Sequence, residues 1–212
     1  MSRASRAALW IIGSIAAFGL ALFATLPIIT VSADLFAPPL GFDHHLLSMA
    51  LWPIVWALLA AGGIWLLRNV LLGPVRPRPM AVVLLLLGCG IAAWHHVALQ
   101  RWLIQRFGYV DPDMVGWTVG LFAVLAMIGV AAFATLIAPA RVAWVPAGVA
   151  VIGAAATVLI GVDNAISGLP NGIASDSVPL AVTLVAASLY DIGASVMVVR
   201  RLSRTPRPDD AR

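Results

Sequence analysis

The four histidines of this chain come as two adjacent pairs, His44-His45 and His95-His96. Imidazole binds iron, copper or zinc, and a thioether such as that of Met49 suits Cu(I). These five residues therefore define a candidate metal or haem centre, with haem, copper and iron as the open choices of cofactor. Successive residues on a helix point ~100° apart, which keeps the two rings of one pair off a single metal. Such a centre takes one histidine from each pair, with Asp34, Asp43, Asp111, Asp113, Met114, Asp163 and Asn164 as further donors. The plain alternative places His44 and His45 in water, and closes His95, His96 and Gln100 into a hydrogen-bond network. No spacing matches a zinc or haem motif.

Asp191 is a second candidate. Counted at 1.5 Å per residue, it falls ~20 Å into an apolar run, with Tyr190 beside it and Ser188 and Ser195 near its face. An ionisable group at that depth is costly and marks proton or cation coupling unless a partner neutralises it. Serine and threonine hydroxyls, or Arg200, are the structural partners within sequence reach. Arg101 and Arg106, which stand apart from the other arginines, suit either an ion pair with Asp111 or Asp113 or a clamp for an anionic substrate. Substrate or proton coupling is accordingly assigned to Asp191, Tyr190, Arg101 and Arg106.

The residue inventory removes other chemistries. All thirteen basic residues are arginine and all nine acidic residues are aspartate. Without lysine there is no Schiff base and no phosphate-loop lysine. Without glutamate there is no HExxH metalloprotease motif and no glutamate proton relay. A single cysteine, Cys89, excludes an intrachain disulfide and a CxxC pair, and inside an apolar run it reads as a small buried hydrophobe. Gly193-Ala194-Ser195 lacks the following glycine of a serine-hydrolase elbow. No nucleotide loop or paired acidic motif of prenyl transfer is present, and the balance leans away from an enzyme.

The elements that must position these residues follow from composition. The chain is 62% hydrophobic and 10% charged, against roughly 25% charged in soluble domains, so lipid is the fitting solvent. Crossing the hydrocarbon core takes about 20 apolar residues. Six segments qualify, at about 8–31, 46–67, 80–100, 115–137, 143–163 and 178–199. They are separated by Ala37-Pro38-Pro39, by Gly73-Pro74 through Pro79, by Asp111-Pro112-Asp113, by Ala138-Pro139-Ala140-Arg141 and by Leu169-Pro170-Asn171-Gly172. The expected fold is an all-α, polytopic transmembrane helix bundle of six spans in one domain, 1–199, followed by a disordered basic cytoplasmic tail, 200–212.

Arginine bias orients it. With the N-terminus inside, the cytoplasmic side holds Arg3, Arg6, Arg68, Arg76, Arg78, Arg141, Arg200, Arg201, Arg204, Arg207 and Arg212, and only Arg101 and Arg106 fall outside. Asp34, Asp43, Asp111, Asp113, Asp163 and Asp176 fall outside as well. Trp10, Trp65 and Trp144 are expected at the inner interface, and Trp52, Trp102 and Trp117 at the outer one. Both ends are then cytoplasmic, in the plasma (inner) membrane. The first segment, ending Val31-Ser32-Ala33, echoes a signal peptide, but its apolar stretch exceeds the 7–15 residues of a signal core, so an uncleaved span is expected. In this topology both histidine pairs point outward, with His95 and His96 ~9 Å deeper than His45 by helical rise.

Small residues at helical spacing mark close packing: Gly13, Ala17, Ala21 and Thr25 in the first span, Gly116 and Gly120 in the fourth, and Gly153, Thr157 and Gly161 in the fifth. They serve the bundle itself or another membrane protein. Pro53 removes one hydrogen bond inside the second span. Membrane lipid is the expected partner of the basic tail, and nucleic acid is not, because the positive charge is spent on topology. Two functions stay open. One is a small transport-type or accessory membrane subunit with a polar outward-facing mouth and an intramembrane aspartate. The other is a metal- or haem-binding redox module at the outer side of spans two and three.

Overall fold

The structure is a computed structural model that describes the backbone of residues 2–40, 44–108, 112–168 and 178–203. The side chains of His44, His45, Met49, Gln100 and Arg106, and of residues 112–123 and 160–168, lie outside that description. Among the described residues there are six helices: α1 (Arg3–Leu40), α2 (His44–Leu72), α3 (Pro79–Phe107), α4 (Pro112–Ile137), α5 (Trp144–Gly168) and α6 (Val178–Ser203). Among the described residues, four stretches are long and apolar enough to cross a membrane: Ala4–Phe36, Ala50–Leu72, Pro79–Ala98 and Val182–Ser203. The described apolar stretches of α4 and α5, Val124–Ile137 and Trp144–Leu159, are shorter.

α4 stands at the centre, in contact with α2, α3, α5 and α6. Its sequence explains the position. From Ile128 to Ala138 every side chain is buried, with Ala131, Ala132, Ala134 and Ala138 among them. A helix buried on every side must be apolar all round, and small side chains let neighbours approach closely in a bilayer. α1 leans on α2. Its small-residue stripe is the seam: Ala21 and Thr25 are buried, Ala17 Cβ lies 3.1 Å from where a Gly63 Cβ would stand, and Leu67 Cδ1 lies 3.1 Å from the same position at Gly13. In α5, Gly153 likewise admits Ile128 of α4, whose Cγ1 lies 2.8 Å from where a Cβ would stand. Both stripes are occupied within the chain. Outward-facing positions carry large apolar side chains, among them Ile15, Phe23, Ile152 and Leu189, the surface a lipid-facing helix presents.

Helix ends differ from the sequence expectation where a breaker is weak. α1 continues past Ala37-Pro38-Pro39 to Leu40, so the two prolines fall in its last turn, where few intrahelical bonds remain to be lost. α3 runs through Arg101 and Arg106 to Phe107, because nothing between Ala98 and Gly108 stops it. Gly108, at φ 73°, then supplies the left-handed cap, its N–H bonded to the Ile104 carbonyl at 2.9 Å. α2 takes in Arg68, and α6 takes in Arg200 and Arg201. Trp10 is 1% exposed and donates Nε1–H to the Ile64 carbonyl at 3.3 Å, a buried tie from α1 to α2. Trp56 does the same to Phe18, donating to its carbonyl and meeting its ring edge-on at 4.5 Å.

Candidate functional site

Three polar residues of the apolar interior, Thr183, Tyr190 and Asp191, share one face of α6. α6 alternates between an exposed apolar face, Val182, Val185, Leu189, Ile192, Val196 and Val199, and a buried stripe of Thr183, Ala187, Tyr190, Asp191, Ala194 and Val198. The spacing of the stripe, at three, four and seven residues, is that of one helical face. It packs where α6 meets α3, α4 and α5.

At one end of the stripe, Thr183 Oγ1 and His95 Nδ1 of α3 share a hydrogen bond of 2.6 Å. About 10 Å further along, by helical rise, Tyr190 enters a notch between α3 and α4. Its hydroxyl donates to the Leu84 carbonyl at 3.0 Å. The notch exists because Gly88 and Gly129 lack side chains: a Cβ at Gly88 would stand 2.5 Å from Tyr190 Oη, and one at Gly129 3.1 Å from it. Asp191 projects ~100° away from Tyr190 and is 1% exposed. Neither of its carboxylate oxygens has a hydrogen-bond partner among the described residues. The partners the sequence offered do not serve it. Ser188 returns its hydroxyl to the Leu184 carbonyl of its own helix, and Arg200 is exposed at the helix end. Buried side-chain oxygens are nearly always hydrogen-bonded, so this carboxyl stands out in the molecule.

The histidines of α3 divide between two seams. His95 meets α6 through Thr183. His96 is 2% exposed and lies two turns beyond Cys89 on the same stripe, which faces α2, where Cys89 Sγ approaches the Pro53 carbonyl at 4.0 Å. His44, His45 and Met49 lie outside the described side chains, and among the described residues no three His, Cys, Asp or Glu side chains cluster as a metal site would require. Arg101 is exposed on the last turns of α3; Arg106, on the same turns, lies outside the described side chains, as do Asp111 and Asp113.

Sequence reasoning missed Thr183 as the partner of His95, and it missed the glycine notch that holds Tyr190. Gly88 and Gly129 sit on different helices, and no periodicity within either one pairs them. It also took Arg6, Arg68 and Arg141 as topology signals only. All three line one cavity between the ends of α1, α2 and the α4–α5 connection. No protein-family model, curated protein or solved structure matches this chain.

Proposed function

We propose that this chain is a six-span membrane protein of the plasma (inner) membrane, with its N- and C-terminal ends in the cytoplasm, and that it works as a small transport-type protein in which Asp191 takes up and releases a proton or a small cation. The observation that carries the reading is the buried carboxyl with two unfilled oxygens. A structural aspartate in an apolar interior is held by donors, since an unsatisfied buried acceptor costs about 1–3 kcal/mol. A carboxylate without them has room for a proton or a cation, which is the use made of intramembrane acids in pumps and transporters. The His95–Thr183 pair on the same stripe supplies a polar step between Asp191 and the end of α6 that the arginine bias places outside. Arg101, exposed on the last turns of α3, supplies positive charge for an anionic substrate at that mouth; Arg106 follows it in the sequence of the same turns, its side chain outside the described residues.

Proteoliposomes carrying an entrapped pH dye test this directly. An imposed pH gradient should collapse faster with the wild-type chain than with empty vesicles, and Asp191→Asn should return the rate to that of empty vesicles. An Asp191→Asn chain that folds, reconstitutes and moves protons at the wild-type rate would remove Asp191 from the mechanism.

A further inference from the structure

Three arginines from three separate segments meet at the end of the bundle opposite the His95–Thr183 pair. Arg6 of α1, Arg68 of α2 and Arg141 of the α4–α5 connection line one cavity of about 590 Å³. The rest of its described wall is apolar, with Ile11, Leu72 and Val142, and no acidic residue lines it among the described residues. Arg68 is fixed in place: its Nε donates to the Ile137 carbonyl at 3.2 Å and its Nη1 to the Gly73 carbonyl at 2.7 Å, which caps the C-terminal ends of α4 and α2. Arg6 is different. Its Nε is buried and has no hydrogen-bond partner among the described residues, although a guanidinium carries five donors in a rigid fork. Arg141 is exposed at the cavity mouth. Among the described residues the cavity thus holds three cations, an unused buried donor and no acid to balance them.

Its depth matters as well. The apolar stretch of α1 begins at Ala4 and that of α2 ends at Leu72, and both residues line the cavity. The site therefore sits where a membrane-crossing helix leaves the hydrocarbon and reaches the headgroups. Guanidinium groups match phosphate oxygens in geometry and charge, and basic pockets between helices at this level hold anionic headgroups. We propose that this cavity binds a phosphate group, and that its source is the headgroup of an anionic phospholipid whose acyl chains lie along Ile11 and Leu72. This site is separate from Asp191 and does not depend on the transport reading.

The test uses the whole purified chain in mild detergent, with phosphatidylglycerol, phosphatidylcholine or inorganic phosphate added, read by native mass spectrometry and thermal melting. Phosphatidylglycerol should bind and raise the melting temperature, and phosphatidylcholine should do neither. The double variant Arg6→Gln/Arg141→Gln should weaken phosphatidylglycerol binding ~tenfold or more, at roughly 1 kcal/mol per basic residue. Arg76→Gln/Arg78→Gln, which removes the same charge from the α2–α3 connection outside the cavity, should leave it unchanged. Arg141→Gln alone, on an exposed residue, gives an intermediate loss and keeps the test valid if the double variant folds poorly. Equal binding of phosphatidylcholine, an unaffected double variant, or an equal loss in the Arg76/Arg78 control would overturn the site. Stabilisation by inorganic phosphate that vanishes in the double variant, with no added effect of phosphatidylglycerol, would overturn the lipid as its source.

Discussion

Tyr190 and Asp191 are neighbours in sequence with opposite fates. Tyr190 has its hydroxyl bonded to a carbonyl and its ring in a notch cut for it by two glycines. Asp191, also buried, has no donor at either oxygen among the described residues. The contrast predicts two stability patterns. Gly88→Ala should destabilise the chain by about 1–3 kcal/mol, the range for overpacking a filled interior, because the new methyl would stand 2.5 Å from Tyr190 Oη. Combining it with Tyr190→Phe should recover part of that loss, since the nearer clashing atom, Oη, is gone while Cζ stays 2.9 Å from the methyl, whereas Tyr190→Phe alone costs about 0.5–1.5 kcal/mol as a lost hydrogen bond. Melting curves of the three variants in one detergent check this, and strictly additive losses would show that the notch does not hold Tyr190. Asp191→Leu should run the other way. Replacing an unsatisfied carboxyl by an apolar side chain of similar length leaves stability equal to wild type or higher, and abolishes proton uptake. A melting temperature several degrees below wild type would mean that Asp191 has a structural partner. A residue that costs stability and carries activity is the expected trade at a functional site.

At the scale of the element, the sequence already announces where helices lie and what each face is for. Apolar runs and Pro-Gly breaks locate the six helices, and the Gly13–Ala17–Ala21–Thr25 spacing marks the buried face of α1. Helix ends were less legible. Arg101 and Arg106 read as loop residues because they are charged, yet long arginine side chains ride on a helix and reach water from its end. Only Gly108 stops α3. Which helices are neighbours is not written in any one segment, and so the pairing of His95 with Thr183 and the meeting of Arg6, Arg68 and Arg141 escaped the sequence. The α1–α2 seam gives a direct check on neighbour assignment. Ala17 Cβ and a Cβ built at Gly63 stand 3.1 Å apart, a few tenths of an ångström short of the about 3.5–4.5 Å a disulfide spans, so a slight parting of the helices admits the bridge. The double variant Ala17→Cys/Gly63→Cys should therefore oxidise to an intramolecular bridge, seen as a mobility shift on a non-reducing gel after a cut in the α1–α2 connection. Cys89 is buried and does not compete. A covalent dimer in place of the internal bridge would assign the α1 stripe to a second copy of the chain.

For the whole molecule, the two halves of the topology argument carry different weight. The apolar surface of the long helices is a property of the fold, while the side on which each end lies is written only in the arginines. Lys and Arg near the ends of spans are retained on the cytoplasmic side during insertion, and the chain places Arg68, Arg76, Arg78, Arg141, Arg200 and Arg201 at one end of the bundle and Arg101 and Arg106 at the other. The six-span arrangement requires that Ser2, before α1, and Ser203, at the end of α6, share a side with Pro74 in the α2–α3 connection, and that Gln105 at the end of α3 lies opposite. Each is outside the buried core, and the single native thiol is buried, so four one-cysteine variants report on four positions with little background. A maleimide that does not cross membranes should label Gln105→Cys in intact cells. Ser2→Cys, Pro74→Cys and Ser203→Cys should react only once the membrane is opened. Labelling of all four with the sides exchanged would keep six spans and invert the protein, which would move the arginine cavity to the outer leaflet and Asp191's polar approach to the cytoplasm. Labelling of Ser2→Cys and Ser203→Cys from opposite sides would mean an odd number of crossings.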